Sequence, residues 1–306
     1  MKILVCDPIS DDAVKLLRQS RDVVSDYRPD ITAAQLLEVV KDYEGLILRS
    51  RTKITREVIF GASRLKVIGR AGVGIDNIDA SAASERNVKI LNTPDALTNA
   101  VAEFTVGLML DLARQIPRAD ASIRKGEWSK SAFNGIELRG RTYGTIGIGR
   151  IGQKVAEIAY AFGMKIMAND IIPIPKILIE NLDVVISTQD QVFEQADFVD
   201  LHVPLTPETE HLVNYEKLRR MKKTSFLINT SRGKVVDEKG LLRALNEGLI
   251  SGAALDVFEI EPLARSDLLE NEKVVITPHI AGQTEEAQLK AGIQVVEEVL
   301  KYLRTR

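Results

Sequence analysis

The sequence has one cysteine, almost no net charge and no long apolar run. Cys6 has no second cysteine with which to form a disulfide, which favours a reducing compartment. The formal net charge of −2 creates no field that would attract nucleic acid or anionic lipid. No apolar segment approaches the roughly 18 residues that a membrane helix needs, and the apolar stretch at residues 2–6 is too short for a signal peptide. We therefore predict a cytoplasmic protein that binds neither nucleic acid nor membrane.

The order of apolar segments predicts an α/β architecture. A chain of 306 residues is long enough for two domains of ordinary size. Short apolar runs such as KILVC, GLIL, LKVIG and VKIL alternate with segments of helical period such as DDAVKLLRQS. A second series of the same kind begins near residue 142 and ends with KVVITPH. Each series is typical of a parallel sheet covered by helices, so we predict two doubly wound domains.

Between the two series, residues 96–116 predict a helix that is apolar on nearly all sides. Only Glu103 and Asp111 are charged between Ala100 and Ala113. A helix of this kind is buried on most of its surface. We therefore expect it to lie between domains or between subunits.

A glycine-rich turn at residues 147–152 indicates a dinucleotide site. Gly147, Gly149 and Gly152 form G-x-G-x-x-G after a predicted strand and at the start of a predicted helix. This turn leaves the helix N-terminus free to receive a pyrophosphate. Asp170 follows the next strand, near the ~20-residue distance at which an acid binds the adenosine ribose. No arginine follows it to bind a 2′-phosphate, so NAD is favoured over NADP, and a glycine turn without a ligand is the alternative.

Ionisable residues follow three strands of the second series, at the strand ends where chemistry is expected in a parallel sheet. Arg232 follows LINTS, residues 256–261 follow AAL, and His279 follows KVVITP. Hydride transfer between a hydroxy acid and nicotinamide needs a base for the hydroxyl proton, a cation for the carboxylate and usually a second carboxylate that orients the base. Histidine, arginine and glutamate meet these needs.

The choice among the three histidines stays open at this point. His202 also ends a predicted strand, and we favour a structural role for it. His211 lies in a predicted loop or helix start, where we expect a surface position. Position along the chain makes His279 only somewhat better than His202 as the acid/base.

Taken together, the motifs resemble those of the D-isomer-specific 2-hydroxyacid dehydrogenase family. The matching segments, in family order, are RSRTKIT, GRAGVGIDNID, NTPDALTNAVAEFTVGLMLDLARQIP, GTIGIGRIG, LINTSRGKVVDE, AALDVFEIEP and TPHIAGQT. They span almost the whole chain. Within the family, the sequence is most similar to the short phosphoglycerate dehydrogenases, which have no C-terminal regulatory domain.

The resemblance implies an α/β fold with two doubly wound parallel-sheet domains. Residues 98–282 would form an NAD-binding Rossmann domain, and residues 1–97 with 283–306 a discontinuous, flavodoxin-like substrate domain. It also implies a homodimer that uses NAD to oxidise 3-phospho-D-glycerate to 3-phosphohydroxypyruvate, the entry to L-serine biosynthesis. The alternatives are a glyoxylate or hydroxypyruvate reductase, another D-2-hydroxyacid dehydrogenase, and a non-catalytic NAD-sensing protein that resembles corepressors of the family.

The resemblance further implies a role for each candidate residue, with no metal in the site. Arg232 would bind the substrate carboxylate, Glu261 would pair with His279, and His279 would be the acid/base. Asp256 would hold the nicotinamide carboxamide, while His202 would lie near the cofactor. The full set of implied cofactor residues is Gly147, Gly149, Arg150, Ile151, Gly152, Asp170, His202, Thr230 and Asp256.

Positive charge after two strands of the first series predicts a site for a substrate phosphate. Similarity to phosphoglycerate dehydrogenases points to Arg49 and Arg70 as phosphate contacts. We expect the neighbouring Arg51 and Lys53 to be solvated, and a cationic loop that serves solubility is the alternative. Backbone N–H groups of the turn RAGVG, which includes Val73 and Gly74, can bind a carboxylate.

The loop after the candidate acid/base departs from the pattern of the phosphoglycerate dehydrogenases. Those enzymes commonly have glycine, alanine and serine there, whereas this chain has Ala281, Gly282 and Gln283. Because the loop lies beside His279, the departure bears on the fine specificity for the substrate.

Overall fold

The computed structural model describes residues 1–263 and 265–305. It divides into two compact units along the chain. The first unit consists of Met1–Thr98 together with Gly282–Arg306, and the second of Asn99–Ala281. Each unit contains its own parallel sheet.

Within its described residues, the first unit has a sheet of five parallel strands in the order β2-β1-β3-β4-β5. This is the flavodoxin-like order 2-1-3-4-5. The strands are β1 (Lys2–Val5), β2 (Val24–Tyr27), β3 (Gly45–Leu48), β4 (Val67–Arg70) and β5 (Lys89–Asn92). The helices are α1 (Asp11–Gln19), α2 (Ala33–Val39), α3 (Arg56–Gly61), α4 (Ala80–Glu85) and, near the C-terminus, α12 (Glu285–Arg304).

Within its own described residues, the second unit has seven parallel strands in the order β12-β11-β10-β9-β6-β7-β8. The strands are β6 (Thr142–Ile146), β7 (Lys165–Asn169), β8 (Val185–Ile186), β9 (Phe198–Leu201), β10 (Phe226–Asn229), β11 (Gly252–Leu255) and β12 (Val274–Ile276). The helices are α5 (Thr98–Arg114), α6 (Ile116–Arg124), α7 (Arg150–Ala161), α8 (Lys176–Leu182), α9 (Gln189–Gln195), α10 (Tyr215–Arg220) and α11 (Glu238–Asn246). The predicted fold class is therefore confirmed.

Most strands coincide with apolar runs because strands of a covered parallel sheet are buried on both faces. All four residues of β3 are buried, as are those of β9 and β11. Strand β2, with the sequence VSDY, is the strand that the apolar pattern does not predict. It lies at the edge of its sheet, and Val24 is 63% exposed. An edge strand of this kind carries no continuous apolar run.

Helix α5 is buried along most of its length, as its apolar sequence predicts. Its buried residues, among them Val106, Leu108 and Met109, join the core of the second unit with Tyr143 and Phe198. A position between domains or subunits stays a prediction. In the described part of the chain, no helix has both the length and the apolarity that crossing a membrane requires.

Helix α12 joins the C-terminal segment to the first unit. Thr284 caps it by accepting a hydrogen bond from the backbone N–H of Ala287. Its buried face includes Val295 and Val299, which belong to one hydrophobic cluster with Ile47 of β3. The sheet of the first unit is thereby covered by residues nearly 300 positions from its first strand.

Candidate active site

Three neighbouring strands bring the candidate catalytic residues to one edge of the second sheet. Strands β10, β11 and β12 are parallel, and Leu255 pairs with Asn229 on one side and with Ile276 on the other. The segments that follow these strands contain Arg232, Glu261 and His279. Since the carboxyl ends of parallel strands share an edge, the three segments leave the sheet side by side.

His279 and Glu261 form a hydrogen-bonded pair. The distance from His279 Nδ1 to Glu261 Oε2 is 2.7 Å, and Glu261 Oε1 accepts the backbone N–H of Phe258 at 3.1 Å. Burial opposes ionisation of Glu261, but His279, that N–H and the positive charge of Arg232 together lower its pKa below the ordinary value. An ionised Glu261 accepts a hydrogen bond from Nδ1–H of His279, which leaves His279 Nε2 for a substrate hydroxyl.

The loop that carries His279 is fixed by a buried carboxylate. Asp256 follows β11 and has no exposed surface. Its Oδ1 accepts hydrogen bonds from Thr277 Oγ1 at 2.6 Å and from the N–H of Ile280 at 2.9 Å, and its Oδ2 accepts the N–H of Ala281 at 2.8 Å. Asp256 therefore holds the loop on both sides of His279. Contact with a nicotinamide carboxamide stays a prediction for this residue.

Arg232 is placed by its own turn and by the loop that precedes Glu261. Asn229 donates through Nδ2 to the carbonyl of Arg232 at 2.9 Å, while its Oδ1 accepts the N–H and the hydroxyl of Ser231. A Cβ atom on Gly233 would lie 1.9 Å from the carbonyl of Phe258. Only glycine allows the two loops to approach this closely, and their approach places the charge of Arg232 near Glu261.

The glycine-rich turn has the geometry of a pyrophosphate site. Gly147 has φ of +88°, and a Cβ atom there would lie 2.5 Å from the carbonyl oxygen of His202. Gly149 is the N-cap of α7 and provides no side-chain cap, and a Cβ atom on it would meet no atom of the described residues within 4 Å. The start of this 12-residue helix is therefore open to an anion. The next predicted residues are in its first turn: Arg150 is exposed, Ile151 packs partly against the core, and Gly152 is buried.

Asp170 lies at the end of β7, next to the glycine turn. Its Oδ2 accepts the backbone N–H of Ile148 at 2.7 Å, and its Oδ1 accepts that of Ile172 at 3.0 Å. The carboxylate therefore links the turn to the segment after β7. Each oxygen keeps a second lone pair for the predicted ribose contact.

His202 is buried under the glycine turn, with 3% of its side chain exposed. Its Nε2 lies 2.8 Å from Asp200 Oδ2, which also accepts the hydroxyl of Tyr143 at 2.8 Å. This environment suits a structural residue better than an acid/base. Thr230, another predicted cofactor residue, is buried, and its hydroxyl lies 3.0 Å from that of Thr105.

The candidate phosphate residues Arg49 and Arg70 lie at one edge of the first sheet. Leu48 of β3 pairs with Arg70 of β4, so both arginines stand where these neighbouring strands end. Arg49 donates through Nη2 to Gln283 Oε1 at 2.8 Å, and burial lowers the pKa of its guanidinium. The guanidinium of Arg70 lies against Gly72. In the same turn, the carbonyl of Val73 accepts the side-chain amide of Asn92 at 2.6 Å, and Gly74 is partly exposed.

A second buried carboxylate, Asp7, organises the loop that carries Arg49. It accepts the N–H of Arg49 at 2.6 Å and the hydroxyl of Thr52 at 2.6 Å. Arg51 also donates to Asp7, through Nε at 3.2 Å, and to the carbonyls of Cys6 and Pro29. The side chain of Arg51 is 49% exposed, so it is solvated as expected, and its guanidinium also holds Asp7 and two neighbouring carbonyls. Asp7 directly follows the first buried strand, but this position does not by itself indicate which N–H groups its carboxylate binds.

The family follows from comparison with known proteins. Residues 106–281 match the NAD-binding domain of the D-isomer specific 2-hydroxyacid dehydrogenases. The chain is 49% identical over 305 residues to a D-3-phosphoglycerate dehydrogenase of Methanocaldococcus jannaschii, and 42% identical over 308 residues to a hydroxypyruvate reductase of Thermotoga maritima. The solved structure of the TT0316 protein from Thermus thermophilus covers all of this chain with a TM-score of 0.92 at 36% identity, and 98% of that protein is covered in turn.

The chain belongs to the D-isomer specific 2-hydroxyacid dehydrogenase family, whose NAD-binding domain residues 106–281 match. The predicted family and the predicted cofactor, NAD, are confirmed. The two relatives differ in length. Each alignment includes 99% of this chain, but it spans 58% of the Methanocaldococcus protein and 98% of the Thermotoga protein.

Proposed function

We propose that this protein oxidises 3-phospho-D-glycerate to 3-phosphohydroxypyruvate with NAD. The observation that carries the proposal is the His279–Glu261 pair, with the charge of Arg232 beside it, at the edge formed by β10, β11 and β12. Such a set supplies the base, the carboxylate that orients it and the cation that the reaction requires. Similarity to the Methanocaldococcus phosphoglycerate dehydrogenase supports this choice of substrate.

In the proposed reaction, bound NAD supplies the acceptor for the hydride that leaves C2 of the substrate. His279 Nε2 takes the proton of the C2 hydroxyl as the carbonyl forms, so the products are the 2-oxo acid, NADH and a proton on His279. Glu261 stabilises the resulting imidazolium through Nδ1. Arg232 binds the substrate carboxylate, for which the planar fork of its guanidinium is suited.

The cofactor would be held by the glycine turn and the start of α7, where backbone N–H groups meet the pyrophosphate. Asp170 would bind the adenosine ribose. These assignments are supported by the open face of Gly149 and by the contact between Asp170 and the turn. A homodimer and a cytoplasmic location stay predictions.

A second candidate function is reduction of hydroxypyruvate or glyoxylate. It is favoured by the Thermotoga hydroxypyruvate reductase, which this chain matches over 98% of that protein's length. The two functions differ in whether the substrate carries a phosphate. We assign the phosphate contacts to Arg49 and Arg70, because both stand at the same edge of the first sheet.

The test is NADH formation with 3-phospho-D-glycerate, D-glycerate and D-lactate, measured for the unmodified protein and for Arg49→Ala. Arg64→Ala is the matched control, since Arg64 is an exposed arginine of the same unit that pairs with Glu44. We expect a strong preference for the phosphorylated acid that is lost in Arg49→Ala and kept in Arg64→Ala. Equal or higher kcat/KM with the unphosphorylated acids would favour the second candidate. No turnover of any of the three acids would refute both oxidation of 3-phospho-D-glycerate and reduction of hydroxypyruvate.

A further inference from the structure

Two glutamates join the loop before Glu261 to the start of helix α11. The backbone N–H of Glu238, the first residue of α11, donates to Glu259 Oε1 at 3.0 Å. In return, the backbone N–H of Glu259 donates to Glu238 Oε1 at 2.7 Å. We call these two residues the reciprocal glutamate pair. Each carboxylate satisfies a main-chain donor of the other segment, as in a capping box, but across 21 residues of sequence.

His211 brings a third segment to this pair. Its Nε2 lies 3.3 Å from Glu259 Oε1, and its backbone N–H donates to the carbonyl of Lys234 at 2.8 Å. Lys234 belongs to the turn that follows Arg232. The side chain of His211 is 46% exposed, so the expected surface position is confirmed.

The reciprocal glutamate pair is directly continuous with the candidate active site. Glu259 lies two residues before Glu261, and the N–H of the preceding residue, Phe258, donates to Glu261 Oε1. The carbonyl of Phe258 in turn packs against Gly233, next to Arg232. The segment 258–261 is thus held at its start by Gly233, at Glu259 by Glu238, and at its end by His279.

We propose that Glu238 is a positioning residue for the His279–Glu261 pair. Its carboxylate fixes the backbone at Glu259 and so keeps Glu261 Oε2 within hydrogen-bonding distance of His279 Nδ1. Glu238 touches neither the substrate nor the cofactor in this proposal, which rests on the proposed function. A displacement of about 1 Å at a catalytic group is enough to lower a rate substantially.

Stability at this position does not require a negative charge on Glu238. Burial raises the pKa of Glu238, the N–H of Glu259 opposes that effect, and the charge of Glu259 adds to it. A glutamine would keep an acceptor for the Glu259 N–H without the second negative charge. The hydrogen bond, rather than the charge, is therefore the feature on which the positioning depends.

The experiment compares kcat, KM and NAD affinity of the unmodified protein with those of Glu238→Ala and Glu238→Gln. The matched control is Glu216→Ala, a first-turn glutamate of α10 whose carboxylate pairs with Arg219 in its own helix. We expect Glu238→Ala to lower kcat about tenfold while NAD binding, followed by protein fluorescence, changes less than about twofold. Glu238→Gln and Glu216→Ala are expected to keep kcat within about twofold of the unmodified value.

Unmodified kcat in Glu238→Ala would overturn the proposal, and a Glu238→Gln variant as slow as Glu238→Ala would overturn the role of the hydrogen bond. If Glu238→Ala does not fold, Glu238→Asp replaces it, because its shorter side chain cannot reach the Glu259 N–H; the same loss of kcat is expected. The variant His279→Ala distinguishes a failure of the proposed function from a failure of the positioning role of Glu238. Retained activity in His279→Ala refutes the proposed function, whereas lost activity there with normal kcat in both Glu238 variants refutes the positioning role alone.

Discussion

Replacing Asp256 with asparagine should destabilise the second unit and slow catalysis together. The carboxylate is fully buried and accepts backbone N–H groups on both oxygens, from Ile280 on Oδ1 and from Ala281 on Oδ2. An asparagine has one oxygen and one NH2 group, so either orientation of its amide points a donor at one of these N–H groups. One charge-assisted hydrogen bond is lost and two buried donors face each other.

The expected cost follows from those contacts. A hydrogen bond to a charged group contributes about 1.5–3 kcal/mol, and a buried donor without an acceptor costs about 1–3 kcal/mol. Partial relaxation of the loop reduces the sum, so we expect Asp256→Asn to lose about 3 kcal/mol of unfolding free energy. Because the loop carries His279, kcat should fall as well.

The assay is urea unfolding followed by circular dichroism, with NADH formation measured on the same samples. Asp183→Asn is the control, because Asp183 is an exposed carboxylate of the same unit that accepts a hydrogen bond from Tyr160. The control should change the unfolding free energy by less than about 0.5 kcal/mol. If Asp256→Asn lowers the free energy of unfolding by less than about 1 kcal/mol, the two oxygens of Asp256 do not fix the loop.

Three further predictions concern single residues of the site. His279→Ala should lower kcat by about 10² or more with NAD binding retained; a loss of that size in His202→Ala instead would identify the other histidine as the acid/base. Asp170→Ala should weaken NAD binding relative to NADP, and an unchanged ratio of the two dissociation constants would contradict the ribose contact. Because the folded pKa of Glu261 lies below its ordinary value of 4.5, its pairing with His279 should add stability above that pH and lose it as the pH falls through the folded pKa. The difference in unfolding free energy between the unmodified protein and Glu261→Gln should therefore become smaller in acid. A difference independent of pH would refute the stabilising role of the ionised Glu261.

Much of the fold could be predicted because parallel strands with two covered faces need continuous apolar runs. Strand β2 is not predicted by this pattern, because an edge strand with exposed positions carries no continuous apolar run. Side-chain chemistry at the ends of predicted strands is a local signal that points to Arg232, Glu261 and His279, but the choice of His279 over His202 rests on the family resemblance. Asp7 and the reciprocal glutamate pair were not found in these roles, because each binds main-chain N–H groups of distant segments. Those partners depend on how loops meet in space, which the local pattern does not encode.

The strand order of the second sheet separates the residues proposed for cofactor selection from those proposed for proton transfer. The glycine turn and Asp170 follow β6 and β7, whereas Glu261 follows β11, four strands away from β7 in the order β12-β11-β10-β9-β6-β7-β8. At about 4.8 Å per strand, the ends of β7 and β11, and so Asp170 and the start of the Glu261 segment, are about 19 Å apart across the sheet. Substitutions this distant and without shared partners add in free energy. A variant with altered cofactor choice can therefore be combined with one of altered acid/base strength, and the double variant should show the product of the two single effects.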